Sequence, residues 1–283
     1  MTNREEKRRF LLRLMEEYLE ALVDKSTLGL PVSGGCKITY NGEKSPLGEN
    51  ELWFNSLIIK ERQTFVDPET GQSVFFGVFS NETFEREERI RIKTNLYAKF
   101  YTATIRLKVS PEGQIVEIEE LACDRRLRYF KGEKWDIELP DLHFKIPIPR
   151  EEQSTRDELI EIIDTYWDCA AKWQTPDKMR IHPDAQRFEE GFRTTNHTRS
   201  FRGDFKFNPN FTWDTTHRRY PVIDEERGVI VSYCMMDKED RSDIDDRRGA
   251  LVVEAFRVEN GLIAHLMAFF PFLAGSIGWG EPE

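Results

Sequence analysis

Glu254 stands in the run Val252-Val253-Glu254-Ala255-Phe256, an apolar setting in which an ionised carboxylate without a partner is costly. Either a cation meets it or its proton is held. Further on, past Asn260-Gly261, comes His265. If the intervening turn has two or four residues, Val258 pairs with Ile263, Phe256 with His265 and Glu254 with Met267. Glu254 and His265 then lie diagonally on one face, roughly 7–8 Å apart. A three-residue turn with a glycine bulge puts His265 on the opposite face. The pair reads either as a proton-transfer couple or as a buried structural contact. Two further histidines lie near the ends of predicted strands, His197 in Thr195-Asn196-His197-Thr198-Arg199 and His217 in Thr216-His217-Arg218-Arg219. They read as solvent-exposed side chains or as site residues. Arg199 or Arg219 could hold a phenolate or carboxylate, or be simple surface charge. Phe256, Met267 and Phe269 would suit a flat hydrophobic or aromatic small molecule. The aromatic-rich loop 201–213, ending at Trp213, reads either as a cover over such a ligand or as a docking surface for another subunit.

The elements that must position these residues occur twice. The amphipathic stretch Arg9 to Tyr18 recurs as Asp157 to Tyr166, and the spacing predicts helices over about 5–24 and 155–173. Ile105-Arg106-Leu107-Lys108-Val109 before Gly113 recurs as Val253-Glu254-Ala255-Phe256-Arg257 before Gly261, at the same offset. Cys36 to Gly42 answers to Ala185 to Gly191, and Val66-Asp67-Pro68-Glu69-Thr70-Gly71 to Ile223-Asp224-Glu225-Glu226-Arg227-Gly228. Matched order argues for two copies of one fold. The expected division is a first domain over 1–135, a proline-rich linker over 136–153, and a second domain over 154–283 with an apolar C-terminal tail. In the first copy an even turn pairs Arg106 with Glu119 and Lys108 with Glu117, leaving Leu107, Val109, Val116 and Ile118 on the other face.

The 283 residues suffice for two cores, and the formal net charge of −10 argues against a nucleic-acid partner. The four cysteines lack zinc-like spacing, and neither they nor the five histidines form a metal motif. No glycine-rich phosphate loop or nucleophile elbow is present, so the expectation is no cofactor and no metal. The charged amphipathic start is no secretory signal, which points to a cytoplasmic protein without a membrane partner. The apolar stretch from Leu262 to Gly280 reads as a buried strand and a tail that covers a pocket or a homo-oligomer interface.

A helix with a central tyrosine, followed by a bent sheet that ends in a long glycine-turn hairpin, resembles the NTF2-like (SnoaL-like) superfamily. The first copy also resembles an uncharacterised NTF2-like domain of fungal and bacterial proteins. Leu30-Pro31, Asn41-Gly42, Leu47-Gly48-Glu49 with Trp53, and Arg106 to Val109 through Ile115 to Glu119 carry that resemblance. It implies an α+β fold of two tandem cone-shaped barrels, each a bent antiparallel sheet packed on helices around an apolar pocket. In the ketosteroid isomerase branch, a helix tyrosine and a neutral carboxylic acid donate hydrogen bonds to an enolate. Tyr166 and Glu254 match those positions, while that branch's catalytic aspartate has no match. The layout is similar to that of sphingomonad diarylpropane lyases. It implies a cofactor-independent lyase or dehydratase acting on a hydroxylated aromatic compound, with Tyr166 and Glu254 as acids and His265 or His197 as base. A ketosteroid-isomerase-like isomerase, a non-catalytic hydrophobic binding protein and an oligomeric scaffold are the alternatives.

Overall fold

The computed structural model describes residues 3–81, 100–124, 141–172, 178–190, 192–193, 213–238 and 250–270. Two compact units divide the chain, Met1–Ile137 and Glu138–Glu283. Helix α1 (Arg4–Asp24) begins where the Asn3 side chain accepts from the Glu5 N–H, and it ends at Lys25 in the left-handed region. Its buried stripe, which includes Leu14, Met15, Tyr18 and Leu22, packs on Phe75, Phe79, Ile105, Leu107 and Ile118 of the sheet. In the second unit α4 (Arg156–Lys172) opens with a reciprocal capping box. Thr155 N–H donates to Glu158 Oε2 at 2.8 Å, and Glu158 N–H donates to Thr155 Oγ1 at 3.3 Å. Thr155→Ala removes one half of the box, and urea denaturation should show a loss of about 1 kcal/mol. An unchanged midpoint and slope would reject that role.

The first unit holds β1 (Val32–Tyr40), β2 (Glu43–Lys44), the short helix α2 (Glu51–Asn55), β3 (Ile58–Asp67), β4 (Gln72–Ser80), β5 (Phe100–Val109) and β6 (Ile115–Asp124). After the short helix α3 (Asp141–Lys145), the second unit has α4, β7 (Ile181–Glu189), β8 (Phe192–Arg193), β9 (Trp213–Asp224), β10 (Val229–Lys238), β11 (Ala250–Glu259) and β12 (Leu262–Phe269). The strand orders are the same, β2-β1-β6-β5-β4-β3 and β8-β7-β12-β11-β10-β9. The fold is α+β, with two six-stranded sheets, each covered on its inner face by one long helix. Each sheet is mixed, because β1 runs parallel to β6 and β7 parallel to β12.

Sequence decides the turns. Asn41-Gly42 and Asn260-Gly261 both take positive φ at two successive residues, the left-handed pair that a two-residue hairpin needs. The loops after Asp67 and Asp224 both close on a glycine with positive φ, Gly71 and Gly228. At Gly228 a Cβ would lie 2.2 Å from Val258 O, so the close approach as well as the φ selects glycine.

Several backbone bonds recur at equivalent places in the two units. Val109 N–H donates to Gly71 O as Val258 N–H does to Gly228 O, and Asn41 N–H donates to Glu120 O as Glu190 N–H does to Ala268 O. Val109 therefore answers to Val258, while Ile115 and Ile263 are the next equivalent pair, bonded to Pro31 O and Arg180 O. The segment between them is one residue shorter in the second unit. Glu254 thus corresponds to Ile105, not to Arg106 as the sequence repeat implied.

The stretch 136–153, expected as a linker, is packed on the second unit where it is described. Phe144 and Ile148 are buried, and Ile148 N–H donates to Glu226 O at 2.9 Å. No described helix is long and apolar enough to cross a membrane.

Candidate functional site

The inner face of the second sheet places four polar groups beneath α4. Side chains alternate along a strand, so Arg187 and Glu189 of β7 share the face that carries Leu266 and Ala268 of β12, their partners in the ladder. On β11, Glu254 pairs with Ala268 and Phe256 with Leu266, which sets both on the same side. From above, Tyr166 packs its ring edge-on to Phe256 at 5.0 Å between centroids, and its hydroxyl interacts with Glu254. The neighbouring Trp167 donates to Ser232 Oγ at 2.8 Å, and Ser232 stands opposite Glu254 in the β10–β11 ladder.

One guanidinium nitrogen links the two acids. Arg187 Nη2 lies 2.9 Å from Glu189 Oε1 and 3.5 Å from Glu254 Oε1. Glu254 is 1% exposed, and its Oε2 has no hydrogen-bond partner among the described residues. Burial pushes its carboxyl up to about 7; Arg187 opposes that rise and Glu189 reinforces it. Burial also drives the Tyr166 hydroxyl well above the ordinary phenol value, so Tyr166 stays a neutral donor. A carboxyl that gains and loses its proton near neutrality, next to a fixed donor and a salt-bridged second carboxylate, is equipped for general acid–base work.

The first unit treats the same face differently. Its buried acid is Glu120 on β6, in the ladder position of Ala268. Tyr18 and Trp53 donate to Oε1 at 2.9 and 2.8 Å, and Asn50 donates to Oε2 at 2.7 Å. Burial raises this carboxyl too, against the effect of its three donors. The rung Ile105–Glu120 of one unit is thus the rung Glu254–Ala268 of the other. The acid has moved to the adjoining strand while facing the same helix tyrosine. Ile38 and Tyr40 of the first unit correspond to Arg187 and Glu189 of the second.

Of the residues singled out from sequence, Tyr166, Glu254 and Phe256 come together. His265, Met267 and Phe269 do not join them. The turn is the even one, with Val258 opposite Ile263, but a bulge follows and Arg257 then pairs with His265. That single extra residue puts His265, Met267 and Phe269 on the outer face. Of the two placings left open by the sequence, His265 therefore takes the face opposite Glu254. His217 is exposed on β9 beside a register shift, with φ 51° and its Nδ1 2.9 Å from Thr216 Oγ1. Trp213 opens β9 opposite Lys238. His197, Arg199, residues 201–212 of the aromatic loop and the tail 271–283 lie outside the described residues. No group of three or more His, Cys, Asp or Glu suited to a metal ion occurs among the described residues.

Arg187 and Glu189 are the site residues that sequence reading passed over. Their signal was available, because the repeat sets Arg187 against Ile38 and Glu189 against Tyr40 on a core-facing strand. Polar residues at apolar positions of one copy mark a specialised face.

A family model described as "Domain of unknown function (DUF8021)" matches residues 152–270, within the second unit. The chain matches no curated protein. Among solved structures it is similar to an NTF-2 like protein of unknown function from Burkholderia xenovorans LB400, at 12% identity and a TM-score of 0.28, over 44% of this chain and 90% of that one. A protein assigned as a ketosteroid isomerase from Kribbella flavida DSM 17836 is similar at 11% identity and a TM-score of 0.29, over 45% and 84% of the two chains. An LEH-like epoxide hydrolase from M. tuberculosis is similar at 13% identity and a TM-score of 0.28, over 40% and 83%.

Proposed function

We propose that the second unit is a cofactor-independent proton-transfer site of the isomerase or lyase type, acting on a small hydrophobic molecule. The observation that carries the reading is Glu254: fully enclosed, poised near neutrality, with one carboxyl oxygen unpartnered among the described residues. As the acid, Glu254 gives its proton to a leaving or developing oxygen while Tyr166 donates a hydrogen bond beside it. In this reading Glu189, held by Arg187 on the same inner face, acts as the base in place of the outer-face His265. The two carboxyl groups supply the two roles that an elimination needs.

The narrower proposal is a hydroxylated aromatic substrate, a diarylpropane diol of the kind released from lignin. Loss of the proton from its terminal hydroxyl breaks a carbon–carbon bond and frees formaldehyde. The electron pair forms the stilbene double bond and expels the second hydroxyl, which leaves as water with the proton from Glu254. Atoms and electrons balance without a redox cofactor. A panel of hydroxylated diaryl compounds, followed by ultraviolet absorbance and formaldehyde release, tests this. Turnover of a diol to a stilbene with one equivalent of formaldehyde is expected. Isomerisation without formaldehyde would replace the lyase assignment with an isomerase one. Recovery of bound, unaltered compound would make the unit a carrier.

A further inference from the structure

The outer face of the second sheet carries a second cluster of ionisable groups, unrelated to Glu254. His143 of α3 stacks on His265 of β12 with ring centroids 4.1 Å apart and planes 20° from parallel. His265 is 8% exposed, and its Nδ1 has no hydrogen-bond partner among the described residues. The segment that brings His143 there is tied down along its length. Arg257 Nη1 donates to Ile146 O at 2.6 Å and Arg227 Nε to Lys145 O at 3.1 Å, while Ile148 N–H reaches Glu226 O. Phe144 and Ile148 supply its buried apolar contacts. Arg257 also donates to Glu259 at 2.9 Å, so the hairpin end is already charge-balanced without an imidazolium.

We propose that residues 141–148 form an acid-released strap on the second unit, latched by the stack of His143 on His265. The groups facing His265 set the sign. His143 from the strap, Arg257 from β11 and His182 from β7 all oppose a positive charge there, and Glu259 favours one. Burial adds to the opposition, so the imidazole is pushed down to about 4 while the strap is closed. With the strap lifted, the ring regains water and an ordinary value near 6.5. Protons therefore favour the lifted form progressively as pH falls from about 6.5 to about 4, and no further below that. Above this window the His265 ring is neutral, and the strap stays closed.

Hydrogen–deuterium exchange of the full chain at pH 7 and pH 4.5, corrected for intrinsic rates, tests the latch. The amides of 143–146 and of Ile148, which is bonded to Glu226 O, should lose at least about tenfold in protection at pH 4.5, while α4 and β10 keep theirs. His265→Phe keeps an aromatic ring under His143 but cannot be protonated, so its strap should stay protected at pH 4.5. Equal protection at the two pH values in the unaltered protein overturns the proposal. Loss of protection everywhere at once does so too, since that is global acid unfolding. Should His265→Phe fail to fold, imidazole titration of the unaltered protein by NMR decides. A His265 midpoint at the ordinary value, or strap release that does not track His265, rejects the latch.

Discussion

Glu254→Gln should abolish at least 99% of turnover while leaving the second unit folded. Glutamine keeps the shape of the side chain and an acceptor for Tyr166 and Arg187, but it has no proton to transfer near neutrality. A positioned general acid contributes roughly 10²–10⁴-fold, which sets the expected loss in kcat. Stability should move the other way, and its pH dependence separates a catalytic role from a structural one. The folded protein prefers Glu254 protonated up to about 7, whereas the unfolded chain releases that proton near 4.5. Stability supplied by the neutral carboxyl is fully present below 4.5 and falls as pH rises through 7. At about 1.4 kcal/mol for each pH unit between the two values, the penalty at pH 8 is on the order of 3 kcal/mol. Glu254→Gln removes it. The variant should match the parent at pH 4 and exceed it at pH 8 in thermal denaturation. Full activity in the variant would end the proton-transfer assignment, whatever its stability.

The second large effect belongs to the first unit and to folding. Glu120→Ala strands three buried donors at once, the Tyr18 hydroxyl, the Trp53 indole N–H and the Asn50 amide. Each stranded donor costs roughly 1–3 kcal/mol, so urea denaturation should show a loss on the order of 4 kcal/mol. Glu120→Gln is the sharper probe. Its carbonyl oxygen can still accept from Tyr18 and Trp53, but its amide nitrogen then faces the Asn50 amide, donor against donor. An intermediate loss of about 2 kcal/mol is expected. A neutral result for Glu120→Ala would mean that Tyr18, Trp53 and Asn50 find other partners, and that the cluster does not hold α1, α2 and β6 together. Substitution here should leave chemistry in the second unit untouched, which separates it from Glu254→Gln in an activity assay.

Much of the architecture was legible because its causes are local. Helix α4 starts where Thr155 and Glu158 can cap one another, and the Asn41-Gly42 and Asn260-Gly261 turns follow from φ angles that those residues tolerate. The pairing of Arg106 with Glu119 and Lys108 with Glu117 matches the charge pattern read from sequence, although it arises from a five-residue turn between Val109 and Ile115 and a bulge, not from an even turn. The repeat is visible for the same reason, since both copies spend their apolar residues on the same helix stripe and the same strand faces.

What the sequence by itself determined is therefore the duplicated α+β scaffold, its turns, and the sharing of one strand face by Glu254 and Phe256. Only the tertiary structure decided which acid serves which tyrosine and what lies beside it. The bulge between Arg257 and Val258 inserts one residue into β12 and sends His265, Met267 and Phe269 outward, a change that no turn rule contains. Pairing of β7 with β12, strands far apart along the chain, is what brings Arg187 and Glu189 to Glu254. Residues 141–148, a connector by composition, become a strap because Arg257 and Arg227 bind their carbonyl oxygens. Side-chain periodicity is a property of neighbours in sequence. Register, charge pairing and burial are properties of neighbours in space.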